Sequence, residues 1–126
     1  MDVTEHAANF VDAAKITGYH AHIYYDAKTK PIAAELRAAI EDRFTMVMGR
    51  WHDEQVGPHP VSMYQVAFAP EEFPRIVPWL MVNRRGLSIL VHPNTGDAYE
   101  DHKTNALWLG DKQKLRLDFL KRLGRE

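Results

Sequence analysis

The spacing of apolar residues along the chain predicts six regular elements. Strands are indicated where apolar and polar residues alternate or where β-prone residues cluster, and helices where apolar residues recur at intervals of three or four. The predicted order is strand, helix, strand, strand, helix, strand, over residues 18–25, 31–43, 44–51, 61–68, 71–83 and 87–92. Residues 114–123 satisfy both spacings, so a strand and a helix both remain open for that segment.

This order of elements is that of the ferredoxin-like split βαβ fold, an α+β arrangement (βαββαβ) in which the helices cover one face of an antiparallel sheet. The first strand would lie between the third and the fourth. We expect the first and third strands to share one direction and the fourth to oppose them. The start of the first strand, the start of the third and the end of the fourth would then meet at one end of the sheet.

The helices would leave the other face of this sheet bare. Three apolar positions on that face, Tyr24, Met63 and Leu90, would form an unusual exposed patch on a soluble monomer. A second copy of the chain is the simplest cover, so we expect a two-fold homodimer that pairs through this face.

Length and charge narrow the class of protein. The chain has 126 residues, so we expect a polar tail over residues 1–17 and a single domain over residues 18–126. Sixteen Lys and Arg balance 17 Asp and Glu, so no positive field would hold a nucleic acid or an anionic membrane. No apolar run reaches the roughly 20 residues that span a bilayer, and the N terminus lacks a signal-peptide pattern. We therefore expect a cytoplasmic protein that binds neither nucleic acid nor membrane.

The absence of residues and motifs excludes several chemistries. The chain contains no cysteine, which removes thiolate nucleophiles and thiolate metal ligands. It also lacks the GxSxG, GxxxxGK[ST], GxGxxG and HExxH motifs of serine hydrolases, P-loop proteins, dinucleotide-binding proteins and zincins. Any metal must therefore be held by His, Asp or Glu.

Histidines supply the candidate metal ligands. His20 and His22 lie at i and i+2 of the first predicted strand, about 6.6 Å apart, so their imidazoles can converge on one ion at about 2.1 Å. The spacing of this pair alone is more typical of a half-solvated polar face, and the positions of His59 and His92 are what favour a metal site. His92 ends the fourth predicted strand and faces the same side. We predict that His20, His22 and His92 form a metal site.

His59 is the candidate acid/base group. It lies between Pro58 and Pro60, which stiffen the backbone around it, although a plain rigid loop would have the same sequence. The shared sheet end would bring His59 close to the other three histidines. Three or four histidines without cysteine suit a borderline divalent ion such as Fe(II) or Zn(II).

The segment after the fourth predicted strand holds further candidates. His102 is the second choice for the acid/base group, and Glu100 or Asp101 could supply the carboxylate of a two-His, one-carboxylate site. Trp108 is by default a core residue but could wall a pocket for a flat substrate. The remaining histidines are interpreted as solvated, His52 in a loop and His6 in the tail.

Several segments together resemble one family. GYHAHIYYD, GPHPVSMYQVAF, PWLMVNRRGLSILVHPNTGDAYEDH and ALWLG occur in this order and spacing. They are similar to the DOPA 4,5-dioxygenase family of small extradiol ring-cleaving proteins over about residues 18–120.

The resemblance implies a dimeric ferredoxin-like subunit whose non-haem Fe(II) opens a catechol ring with O₂. By position, five histidines match the family's motif histidines: His20, His22, His59, His92 and His102. The expected partners are a small aromatic substrate and O₂. A non-catalytic dimer that binds a metal or an aromatic ligand is the alternative, because a fold does not decide function.

Overall fold

A five-stranded antiparallel sheet forms the centre of the fold in the computed structural model, which describes residues 9–123. The strands are β1 (Gly18–Tyr24), β2 (Val47–Met48), β3 (Met63–Phe68), β4 (Ile89–Asn94) and β5 (Leu107–Leu109). Their order across the sheet is β2-β3-β1-β4-β5. The α+β class is confirmed, and β1 lies between the third and fourth strands as predicted.

Both predicted helices are present and cover one face of the sheet. They are α1 (Lys30–Arg43), with Pro31 in its first turn, and α2 (Phe73–Asn83), which contains Pro78. Their apolar residues pack against one face of β1, β3 and β4 to form the main core. The helical residues buried in this core are Ala33, Leu36, Ile40, Ile76, Val77 and Leu80. Within residues 9–123 no helix has the length and apolarity needed to cross a membrane.

The direction predicted for the third strand is wrong. β1 pairs antiparallel with β3, with Tyr19 opposite Phe68 and Tyr24 opposite Met63. The crossover through α1 keeps β2 parallel to β1, and the hairpin that follows must reverse β3. The start of β3 therefore lies beside the end of β1, and the shared sheet end expected for His59 does not exist.

Two short elements were not predicted, and a third element decides between the two alternatives left open for residues 114–123. The segment after the fourth predicted strand, for which no element was predicted, contains α3 (Ala98–His102) and the strand β5. Both are too short to produce a clear periodicity in the sequence. Residues 114–123 contain α4 (Leu117–Leu123), so the helical alternative is the one adopted.

The chain itself covers the second sheet face. Tyr24, Met63 and Leu90 are buried there against partly buried residues from the loops before β3 and around β5. These covering residues are Val56, Ala106, Trp108 and Leu115. The exposed apolar patch that motivated the dimer is therefore absent, because the loops fold back over the sheet.

The N-terminal segment contacts the end of β4. Ala13–Lys15 form a short 3₁₀ turn, which Asp12 caps by accepting a hydrogen bond from Ala14 N at 2.9 Å. Thr17 N donates to Asn94 O at 3.0 Å, which joins this segment to the sheet. His6, interpreted above as a solvated tail residue, lies outside the described residues.

Candidate functional site

Alternation along β1 separates its core residues from its histidines. Ala21 and Ile23 enter the main core, so His20 and His22 project from the opposite face. His92 on β4 is the direct cross-strand partner of His20. Nitrogen atoms of these three histidines lie within 4.8 Å of one another, so the residues predicted as metal ligands do converge.

His59 reaches the same place by a different route from the one predicted. Its loop folds over the sheet face and is held there by Arg116 N, which donates to Pro58 O at 2.8 Å. The ring centroids of His59 and His22 are 4.2 Å apart. The fold of this loop, and not the position of the start of β3, therefore places His59 beside the other histidines.

His102 joins from the short helix α3. Asp97 caps this helix by accepting a hydrogen bond from Glu100 N at 3.1 Å. The His102 ring lies 3.9 Å from the His92 ring between centroids. His22, His59 and His102 form a second group whose nitrogens lie within 4.8 Å, and it shares His22 with the first. We call these five residues the histidine cluster: His20, His22, His59, His92 and His102.

Burial keeps the histidine cluster neutral. His22, His59 and His92 are only 2%, 4% and 2% exposed. Burial, reinforced by repulsion from neighbouring histidines, lowers the pKa of His22 well below its usual range and lowers the pKa values of His59 and His92 to about 3. Burial also lowers the pKa values of His20 and His102. Neutral imidazole is the form that binds metal ions and accepts protons.

The donor atoms fit a divalent metal ion. Nε2 of His22 and Nε2 of His92 are 3.0 Å apart, close to the roughly 3.0 Å expected of two nitrogens bound at right angles about 2.1 Å from one ion. Nδ1 of His22 is buried and has no hydrogen-bond partner among the described residues. His92 donates from Nδ1 to Pro93 O at 2.9 Å, the kind of contact that orients metal-bound histidines.

The carboxylate of Asp101, the residue before His102, makes hydrogen bonds within its own segment. Asp101 is buried and accepts hydrogen bonds from Thr95 N at 2.8 Å, Thr95 Oγ1 at 2.6 Å and Asn105 Nδ2 at 3.2 Å. It thereby holds the two ends of the α3 segment together. Neither Asp101 nor Glu100 belongs to a potential metal-binding group in the part of the chain that the structure describes.

Sequence reasoning missed the role of Tyr24. Its hydroxyl lies 2.7 Å from Nδ1 of His59, and its ring stacks on Trp108 with centroids 6.0 Å apart and an interplanar angle of 17°. The alternation of β1 already placed Tyr24 on the histidine face, but nothing local indicated its partner. Trp108 thus packs beside the cluster, and His52 is half buried in a bridge to Met63 rather than solvated.

Buried, neutral histidines that converge on an open antiparallel sheet define a protein suited to bind a divalent metal ion. Comparison with known proteins gives a family of oxygenases. Residues 19–119 match the Dopa 4,5-dioxygenase family, and the chain belongs to that family. This result confirms the resemblance carried by the histidine motifs.

Individual relatives agree with this membership. The chain is 34% identical over 113 residues to DOPA 4,5-dioxygenase of Amanita muscaria, covering 82% of this chain and 50% of that protein. It is 40% identical over 117 residues to an uncharacterized 21.2 kDa protein of Botryotinia fuckeliana, covering 83% of this chain and 64% of that protein. The chain thus spans half to two thirds of the length of these curated relatives.

A crystal structure also matches closely. It is that of a provisionally assigned dioxygenase from Nostoc punctiforme, which is 51% identical and aligns with a TM-score of 0.90. The alignment covers 90% of this chain and 99% of that one.

Proposed function

We propose that the protein is an extradiol-type dioxygenase that opens the ring of a catechol, DOPA-like or related, with O₂ at a histidine-bound non-haem Fe(II). One observation carries the proposal: five histidines from four segments converge on one sheet face in a chain of this family. The activity named for the Amanita muscaria relative supplies the substrate class.

His20, His22 and His92 would hold the metal, since their nitrogens converge and two of them belong to one strand. When bound, Fe(II) supplies the redox chemistry through which O₂ reacts with the catechol. Zn(II) or another divalent ion can occupy the same nitrogen ligands in protein as purified.

His59 and His102 would handle the substrate's protons. Their rings lie against two of the proposed metal ligands, His59 against His22 and His102 against His92, at centroid distances of 4.2 and 3.9 Å. Each is therefore within reach of a substrate hydroxyl held at the metal site. Both are neutral near pH 7, because burial lowers their pKa values, and a neutral imidazole can accept a substrate proton at its free nitrogen or donate a hydrogen bond from its N–H.

The test is anaerobic loading with Fe(II) followed by a catechol and then air. A yellow ring-opened product supports the proposal, and protein loaded with Zn(II), which has no redox chemistry, should leave the catechol unchanged. An unchanged spectrum with several substituted catechols, at full Fe(II) occupancy, would favour the non-catalytic metal- or aromatic-binding alternative.

The ferredoxin-like class, the homodimer and the cytoplasmic location remain part of the proposal. The order β2-β3-β1-β4 and the two long helices on one face support the fold class. The homodimer rests on the family resemblance alone, because the chain covers Tyr24, Met63 and Leu90 itself. Sedimentation should give twice the 14.5 kDa mass of one chain, and a single-chain mass at every concentration would contradict it.

A further inference from the structure

Hydrogen bonds outside the histidine cluster fix the ring proton of two of its members. Nδ1 of His92 lies 2.9 Å from Pro93 O, and Nδ1 of His102 lies 2.7 Å from Ala98 O. A carbonyl oxygen can only accept a hydrogen bond, so Nδ1 carries the proton in both rings. Nε2 of His92 and Nε2 of His102 therefore present lone pairs.

His59 has a different partner, because its Nδ1 faces the hydroxyl of Tyr24 at 2.7 Å. A hydroxyl can donate or accept, so the direction of this bond depends on what else the hydroxyl contacts. Tyr24 is 3% exposed, and Nδ1 of His59 is the one hydrogen-bond partner of its hydroxyl among residues 9–123. If His59 donated, the buried O–H would have no acceptor, which is the more costly arrangement.

We propose that Tyr24 is a positioning residue that donates to Nδ1 of His59 and holds this imidazole in the tautomer with its proton on Nε2. His59 then presents an N–H donor to the cluster instead of a lone pair. It is a hydrogen-bond donor to a substrate oxygen, and it is not a metal ligand. His102, with its Nε2 lone pair, takes the role of proton acceptor.

The surroundings of Tyr24 fit this positioning role. Its backbone N donates to Ser88 O at 3.0 Å, which fixes the end of β1. The Trp108 ring stacks on the phenol ring, a contact that restricts the orientations of the ring. The proposal also decides which of the two overlapping groups of three histidines binds the metal. A nitrogen that carries a proton cannot bind a metal ion, so a protonated Nε2 excludes His59 as a ligand and leaves the group of His20, His22 and His92.

The inference deepens the proposed function but can be tested without turnover. Long-range ¹H–¹⁵N correlation on protein labelled at histidine reports which ring nitrogen carries the proton, and His59→Gln assigns the signals. In metal-free protein we expect Nδ1 of His59 to be unprotonated and Nε2 protonated. Addition of Zn(II), a diamagnetic probe, should shift Nε2 of His92 and leave the His59 pattern in place. A protonated Nδ1, or coordination of Zn(II) by His59, overturns the proposal.

Two matched variants test the part played by the hydroxyl. Tyr24→Phe should shift His59 to a mixture of tautomers or to the opposite one, while bound Zn(II) stays at the wild-type level. Tyr25→Phe is the control, since it removes a neighbouring hydroxyl that donates to Asp53 at 2.7 Å, away from the histidines. An unchanged His59 tautomer in folded Tyr24→Phe overturns the proposal.

Activity gives a further readout if the Fe(II) protein cleaves catechols. Tyr24→Phe should then lower kcat roughly tenfold with KM unchanged, in line with one lost hydrogen bond. An unchanged kcat contradicts the positioning role. If catechols are not cleaved, the proposed function fails, whereas the tautomer of His59 still decides the present inference.

Discussion

His22 is the most constrained residue of the site. It contacts His92 through Nε2 at 3.0 Å and belongs to both groups of converging histidines. Its Nδ1 is buried without a partner in the described part of the chain, and its imidazole is neutral because burial lowers its pKa. A buried nitrogen without a hydrogen-bond partner destabilises a protein core, so His22 does not contribute to stability through Nδ1. This placement supports the proposal that His22 is a metal ligand.

At the scale of single residues, the proposed ligand set predicts which substitutions should release a bound metal ion. His20→Ala, His22→Ala and His92→Ala should each lower bound metal severely, because an ion left with two protein ligands is weakly held. Elemental analysis of the purified variants measures the effect, with His52→Ala as the control histidine. Full metal occupancy in all three variants would disprove this ligand set.

His59 should behave differently from the ligands. His59→Gln should keep its metal while turnover of a catechol falls by ~10²–10⁴-fold, the range for a lost acid/base group or a lost hydrogen-bond donor at the reacting atoms. Elemental analysis and steady-state kinetics on the same sample separate the two effects. Loss of the metal would make His59 a ligand, and unchanged turnover would leave His102 as the group that acts on substrate protons.

Among the elements, α3 depends most on a single side chain. It has five residues, too few for stability of its own, and the Asp101 carboxylate joins its flanking segments at Thr95 and Asn105. His102 lies at the end of this helix, so its place in the cluster depends on that carboxylate.

Asp101→Ala should therefore lower the free energy of unfolding by about 1–3 kcal/mol, because its buried donors lose their acceptor. Catechol turnover should fall as His102 is displaced, whereas metal bound through β1 and β4 should remain. Urea unfolding and elemental analysis measure the two quantities. As a control, Asp97→Ala removes a single cap hydrogen bond and should lower the free energy of unfolding by about 1 kcal/mol. A smaller loss of unfolding free energy in Asp101→Ala than in Asp97→Ala would contradict this account.

At the scale of the whole molecule, the histidine cluster makes stability depend on pH. The pKa values of His59 and His92 are lowered to about 3 in the folded protein, whereas an unfolded histidine has a pKa of about 6.5. Between these values the unfolded state binds more protons, so the free energy of unfolding falls as the pH falls.

Metal-free protein should consequently lose stability progressively from about pH 6.5 downward. Urea unfolding of metal-free samples at intervals from pH 7.5 to pH 5.5 follows this loss above the range where most carboxylates titrate. The variant His59→Gln removes one such group and should show a shallower dependence. Equal slopes for the variant and the wild type would mean that the His59 imidazole is not neutral in the folded state.

The pattern of apolar and polar residues determined those strands and helices that are long enough to show a clear period. Alternation predicted β1 and β4 and put His20, His22 and His92 on one face, which the register of the two strands bears out. Spacing of three and four predicted α1 and α2, and the histidine motifs indicated the family. Each of these features depends on residues close together in the chain.

Tertiary structure decided the rest. The antiparallel direction of β3, the loop that carries His59 over the sheet, and the contact between Tyr24 and His59 depend on residues far apart in sequence. Short elements such as α3 and β5 contain too few residues to show a period, and packing against the sheet determines them. The sequence alone thus determined which histidines were candidates. Only folding decided how they meet and which atoms they present, because hydrogen bonds from distant segments orient each ring.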